Sequence, residues 1–153
     1  AFVHSISPNL SGNGFEINQA KGKEHINYMG FVKSDDVIAT AQGDFGLVWD
    51  GTSVSTCTGD FGEYLQYNNP HKTSLYIRCQ LPVIIWKQAA LADFVRENGI
   101  GICVDSLEEL EKILNTLSEE EYAEMKKRTA KIGVRLSQVY FVRKSLQEAI
   151  ERL

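Results

Sequence analysis

The sequence predicts an α/β fold, a mostly parallel sheet with helices on both faces. Three observations carry that expectation. Short strand-like runs rich in apolar residues recur at residues 26–32, 45–49, 81–86 and 99–104. Segments with helical spacing and helix-start signals lie between and after them, and this alternation of strand and helix is the mark of a parallel sheet. The run FGLVW (45–49) is also nearly all apolar, as a strand covered on both faces requires.

Taken in order, the opening AFVHSI reads as a strand or as the tail of a helix, since Phe2 and Ile6 share the spacing of one helical face. A short strand is expected around Asn9 to Ser11, before Gly12. INYMGFV (26–32) is expected to be a strand turning at Gly30, and FGLVW (45–49) a fully buried one. LPVIIW (81–86) has Pro82 at its first position, where a missing N–H disturbs the ladder least. GIGICV (99–104) is the next strand.

Helices are expected over residues 72–79 and 88–97, the second closed by Asn98-Gly99. Ser106 and Ser118 each stand three residues before a glutamate, Glu109 and Glu121. In that arrangement hydroxyl and carboxylate satisfy the free amides of a first helical turn. The first pair opens LEELEKIL; the second opens a longer helix expected to stop near Gly133. A last helix, over residues 138–153, would set Phe141, Leu146, Ile150 and Leu153 on roughly one face.

Length and composition bound what such a chain can do. At 153 residues it suits a single domain with a real core, and 43% hydrophobic and 24% charged residues are ordinary for a soluble protein. A net charge of −4 with no basic cluster leaves no footprint for nucleic acid. No apolar run approaches the roughly 20 residues that span a bilayer. Cys57, Cys79 and Cys103 are too far apart for a metal knuckle or redox pair and read as free thiols of a reducing cytoplasm. His4, His25 and His71 are equally scattered, so no metal is expected. The start lacks the pattern of a signal peptide, and its first residue is alanine, so the chain is expected to be processed or a piece of something longer. GDFG occurs twice, at 43–46 leading into a strand and at 59–62 leading into a polar loop, with no other sign of duplication.

Ligands of open parallel sheets bind beyond the carboxyl ends of the strands, where loops meet helix N-termini. The strongest candidate there is Asn68-Asn69-Pro70-His71-Lys72. The amides of a first helical turn have no intrahelical acceptor and carry partial positive charge, which suits an anion. Lys72 adds a full charge, Asn69 and His71 further donors, and Pro70 stiffens the approach. The plainer reading makes Asn69 a helix cap, Pro70 the first helical residue and Lys72 a solvated side chain.

SGNGF (11–15) is a second glycine-bearing turn that would let backbone approach a ligand, although the full GxGxxG dinucleotide fingerprint is absent. WDGTS (49–53) ends a strand with an acid and two hydroxyls, a fit for a sugar or ribose, and also a common turn. The stretch from Thr52 to Asn69 is expected to be a long, irregular, functional loop. Asp60 and Glu63 within it are exposed carboxylates with no claim to catalysis. The DFG triplets lack the companion motifs of a kinase.

INYMGFV, FGLVWDG, GDFGEYLQYNNPHKTSLYI, LPVIIW, FVRENGIGICVDSLEELEKI and YFVRKSLQEAI together resemble the C-terminal half of a bacterial GT-B glycosyltransferase. The resemblance is to the glucosyltransferases that elongate glycans on serine-rich adhesins and their galactofuranosyltransferase-like relatives. It runs in order from about Ser11 to the end, with NNPHK its most specific element. It implies a single Rossmann-like nucleotide-sugar-binding domain over 1–153 in a hexosyltransferase using a UDP-sugar. It further implies a preceding N-terminal acceptor domain, a glycan or glycoprotein acceptor, and no metal or other cofactor, consistent with the lack of a DxD motif.

By the same resemblance Asn69, His71, Lys72 and Thr73 would contact the diphosphate, and Gly12, Asn13 and Gly14 would line the phosphate side. Tyr28 would lie near the base, and Asp50 and Thr52 near the ribose or transferred sugar. Without its partner domain the chain is expected to be inactive, with the apolar face of its last helix partly bare. The rival reading is a non-catalytic interaction or homo-oligomerisation domain, motivated by the aromatics Tyr64, Tyr67 and Tyr140. A flavodoxin-like reading fits less well, for want of an acidic cluster.

Overall fold

The computed structural model describes residues 8–11, 27–30 and 34–152. The AFVHSI opening lies outside them. Strands β1 (Asn9–Ser11) and β2 (Asn27–Gly30) pair in parallel, with Asn9 opposite Asn27. Helix α1 (Ser34–Thr40) follows, then β3 (Gly46–Val48), α2 (Gly59–Tyr64) and α3 (His71–Arg78). Next come β4 (Val83–Trp86), α4 (Ala92–Asn98) and β5 (Gly101–Val104). A 3-10 turn (Leu107–Glu109) leads into α5 (Leu110–Thr116), and α6 (Glu119–Ser137) and α7 (Tyr140–Ile150) complete the chain. Strands β3, β4 and β5 form a second parallel sheet in that order, with Gly46, Val83 and Gly101 in register. The fold is α/β and Rossmann-like, as expected.

Strand β4 shows why its sequence is unbroken Val-Ile-Ile-Trp. Val83 and Ile85 enter one core with Ile77 of α3, Val95 of α4 and Ile132 of α6, while Ile84 enters another with Val104 and Leu110. Each face of the strand is dry, so alternation would place polar groups in apolar surroundings without partners. Strand β3 departs from the expectation of full burial: Leu47 is 42% exposed, because β3 edges this sheet and nothing among the described residues covers that side chain. Pro82 precedes β4 instead of opening it, and its carbonyl accepts the Gly46 N–H at 2.9 Å.

The helix boundaries depart in instructive ways. Helix α4 starts at Ala92, not residue 88, because the chain turns first, with Ala89 N–H donating to Trp86 O and Ala92 N–H to Ala89 O. It ends as expected at Gly99, which is left-handed at φ 60°. The pair Ser106 and Glu109 makes no capping box: Ser106 Oγ accepts from Glu108 N–H at 3.1 Å and caps the 3-10 turn. Helix α6 runs on to Ser137 through Gly133. A Cβ at Gly133 would sit 2.8 Å from the carbonyl oxygen of Ile77, so this glycine serves the close approach of α6 to α3 and does not stop the helix.

Between α6 and α7, Val139 adopts φ 51°, a region in which a β-branched residue is strained. Helix α7 touches the core through Phe141, packed edge-on against Phe94. Of the expected face, Phe141 is thus packed while Leu146 and Ile150 are 59% and 70% exposed, so among the described residues that face is partly bare, as anticipated. Val142 beside it is 58% exposed, and Leu153 lies outside the described residues.

The second capping box forms in full. Ser118 Oγ accepts from Glu121 N–H at 3.2 Å, and Glu121 Oε2 accepts from both Ser118 N–H and Oγ at 2.9 Å. Ser118→Ala is therefore expected to lower stability by about 1 kcal/mol, read from denaturant unfolding. These hydrogen bonds, the backbone one first, hold the Glu121 carboxyl below its ordinary range. The stability it adds is thus complete above the unfolded value, about 4.3, and is lost as pH falls through the lower folded value. A Glu121→Gln variant should differ from the parent at pH 7 and converge with it in more acidic solution.

Candidate functional site

The carboxyl end of β3 and the N-terminus of α3 lie together, because α3 belongs to the crossover that carries the chain from β3 back to β4. Around this junction the protein builds a tightly held turn. Gly51 has φ 111°, and a Cβ there would lie 2.5 Å from Thr58 O and 2.7 Å from Thr58 N. A Cβ at Gly62 would lie 2.7 Å from the carbonyl carbon of Cys57 and 3.0 Å from the carbonyl oxygen of Asp50. Two glycines thus let helix α2 and its approach press on the turn that carries Asp50. The indole N–H of Trp49 donates to Ser53 O at 2.9 Å and closes the turn from inside.

The stretch from Thr52 to Asn69 is therefore not the irregular loop expected from its polarity. It contains α2, and Cys57 and Leu65 anchor it in the core at 4% and 1% exposure. Leu65 O also accepts the Ala90 N–H at 2.8 Å. Burial pushes the Cys57 thiol up, against a smaller lowering by the Asp50 backbone, so it stays protonated and poorly nucleophilic at neutral pH. Cys57, Cys79 and Cys103 are all free.

Helix α3 starts at His71, and its cap is Pro70, which is extended (φ −66°, ψ 136°) and makes no side-chain cap hydrogen bond. Pro70 O accepts the Thr73 N–H at 3.0 Å. Among the described residues nothing accepts the N–H groups of His71 or Lys72, and exposed Asn69 caps neither. The plainer reading, with Asn69 as cap and Pro70 as first helical residue, is replaced by an uncapped N-terminus with two free amides. Thr73, in the same turn, is 2% exposed, and its hydroxyl has no partner among the described residues.

Lys72 is the centre of the site. Its Nζ donates to both carboxylate oxygens of Asp50 at 2.7 Å and to the carbonyl oxygen of Trp49 at 3.2 Å. The two side chains are 29% and 35% exposed, so the pair lies in the surface, neither buried nor fully solvated. This ion pair joins Asp50 to Lys72 in the first turn of α3, the turn that also holds His71 and Thr73. Thr52, two residues beyond Asp50, is exposed. Of the remaining candidates, Gly12, Asn13 and Gly14 lie outside the described residues, and Tyr28 is described through its backbone alone, within β2.

A groove of about 470 Å³ lies elsewhere, beside Gly99 at the amino end of β5. Glu120, Glu121 and Glu124 line it with Arg128, whose Nε donates to Glu124 at 3.1 Å. That surplus of carboxylates suits no anion. Among the described residues no group of three His, Cys, Asp or Glu side chains could hold a metal ion, and no helix is long and apolar enough to cross a membrane.

Comparison with known proteins meets this geometry. The family model described as glucosyltransferase 3-like, C-terminal domain, matches residues 2–149. The chain is 42% identical over 135 residues to a β-1,6-galactofuranosyltransferase, WbbI of Escherichia coli, covering 87% of this chain and 41% of that protein. It is 33% identical over 133 residues to glucosyltransferase 3 of Streptococcus gordonii, covering 86% and 39%. A glucosyltransferase 3 of Streptococcus parasanguinis is 27% identical over 110 residues, covering 72% and 31%. The chain thus spans about two fifths or less of the length of the curated relatives it matches.

Proposed function

This chain belongs to the glucosyltransferase 3-like C-terminal domain family, and on that premise we propose that it is the nucleotide-sugar-binding domain of a hexosyltransferase. The donor is a UDP-sugar, and its diphosphate lies at the N-terminus of α3 against the amides of His71 and Lys72 and the Lys72 ammonium. Asn69 and Thr73 flank it, Asp50 and Thr52 face the ribose or transferred sugar, and Gly12, Asn13, Gly14 and Tyr28 complete the donor site. The observation that carries this reading is the uncapped first turn of α3 with an ammonium beside it at the carboxyl end of a parallel strand.

In the transfer, the bond from the anomeric carbon to a diphosphate oxygen breaks, and negative charge grows on that oxygen. Preorganised amides and a cation near it stabilise the charge without reorganising, a large term in many enzymes. Helix amides and one lysine do here what a divalent cation does elsewhere. The complete enzyme is a cytoplasmic GT-B transferase in which an N-terminal domain supplies the glycan or glycoprotein acceptor, and this chain alone binds donor without turning over.

UDP is expected to raise the melting temperature of the chain. At a hundredfold excess over Kd the linkage is worth about 2.7 kcal/mol, or roughly 5 to 10 °C for a domain of this size. GDP and ADP should do less. A folded sample indifferent to millimolar UDP counts against the reading.

The bare faces support a second reading, an interaction domain that docks a partner or a second copy. Val142, Leu146 and Ile150 of α7 and Tyr64 and Tyr67 near α2 are exposed apolar surface. Light scattering after size-exclusion separates the two: a stable oligomer that ignores nucleotide favours docking.

A further inference from the structure

Lys72 has three N–H donors, and all three are in use: two on the carboxylate of Asp50 and one on the carbonyl of Trp49. An ammonium in that state has no proton left for a phosphate. It is also neutralised, since Asp50 places a full negative charge 2.7 Å away. The pair is part-exposed, at 29% and 35%, where such an interaction is weak enough to be exchanged. In the same helical turn are the amides of His71 and Lys72 and the buried hydroxyl of Thr73, none of which has a partner among the described residues. The turn that carries Asp50 is fixed by Gly51, Gly62 and the Trp49 indole, so the backbone that presents this carboxylate to Lys72 is held in place.

We infer that anion binding at the N-terminus of α3 is an ion-pair exchange, in which a diphosphate takes Lys72 from Asp50, so that Asp50 is an internal competitor setting the affinity of the site. This rests on the donor-site reading above and adds to it a role for Asp50 as the acceptor that the anion replaces. No bond is made or broken; one acceptor of the ammonium replaces another. Exchange accounts for a carboxylate in a site for an anion, which would otherwise repel it. Released from Lys72, Asp50 is free to accept from a hydroxyl of the transferred sugar, a partner that UDP alone does not carry.

The test is isothermal titration of UDP into the 153-residue chain, its Asp50→Asn and Asp50→Ser variants, and an Asp60→Asn control. Asp60 is an exposed carboxylate on the neighbouring helix α2 that makes no contact with Lys72. Exchange predicts that both Asp50 variants bind UDP tighter than the parent, roughly three- to tenfold, while the Asp60 variant is unchanged. Binding by the Asp50 variants alone, with none by the parent, supports exchange more strongly still. Equal tightening by Asp60→Asn overturns it, because any nearby negative charge would then serve. Weaker or unchanged binding by folded Asp50 variants overturns it as well, and makes Asp50 a direct ligand or a bystander. If neither parent nor variants take up UDP, the donor-site reading itself fails.

Discussion

Lys72→Met lowers the affinity of the chain for UDP roughly ten- to hundredfold and removes most of the thermal stabilisation that UDP confers. The estimate comes from one charge-assisted hydrogen bond to a phosphate, worth about 1.5 to 3 kcal/mol, with about 1.4 kcal/mol per decade of affinity. The loss should sit toward the lower end, because the parent must first take the ammonium from Asp50, while the variant leaves Asp50 as a bare carboxylate facing the phosphate. Replacing Asp50 as well should therefore recover part of the affinity. Methionine keeps the length and apolar stem of the lysine, so the packing of α3 on the sheet is untouched. The ligand-free chain should lose little, since a part-exposed ion pair is worth about 0 to 1 kcal/mol. A variant that melts with the parent yet binds UDP equally well would move the anion away from α3.

The route from sequence to this site was legible in part. That the end of β3 and the start of α3 share one side of the sheet follows from strand-crossover-strand order alone, and both segments were visible in the residues. Even the three-residue strand Asn9–Ser11 was. The contact between Lys72 and Asp50 was not, because 22 residues separate them and neither neighbourhood shows which partner a side chain will find. Helix α1 escaped notice because SDDVIAT holds only Val37 and Ile38 as large apolar residues, too few to draw a face. Helix α2 was hidden by its own glycines. Gly59 and Gly62 are poor helix formers, yet Gly62 is needed so that backbone can pass 2.7 Å from the place its Cβ would occupy. Gly133 misled in the same manner. A glycine chosen for close approach looks, in one dimension, like a glycine chosen to end a helix.

The same logic yields the largest expected loss of stability. At Gly101, opposite Val83 in the β4–β5 ladder, an added Cβ would overlap the Val83 carbonyl oxygen and lie 2.9 Å from its carbonyl carbon and from Cγ2. Those atoms belong to the central strand, packed on both faces and tied by Val83 N–H to Ile100 O at 3.0 Å, so they cannot move without disturbing both cores. Gly101→Ala is expected to cost about 1 to 3 kcal/mol or more, a fall of roughly 3 to 10 °C in melting temperature. Gly101→Val should prevent folding. Gly59→Ala is the comparison, since nothing among the described residues lies within 4 Å of an added Cβ and the cost is confined to its φ of 72°. If both alanine variants melt alike by circular dichroism, the pinch at Gly101 is not a feature of the folded chain. Gly101 opens β5, outside the turn and first helical turn that hold Lys72, so the folded fraction of Gly101→Ala should still bind UDP with the parent's affinity. Lys72→Met should do the reverse, and that opposition separates residues that build the sheet from residues that use it.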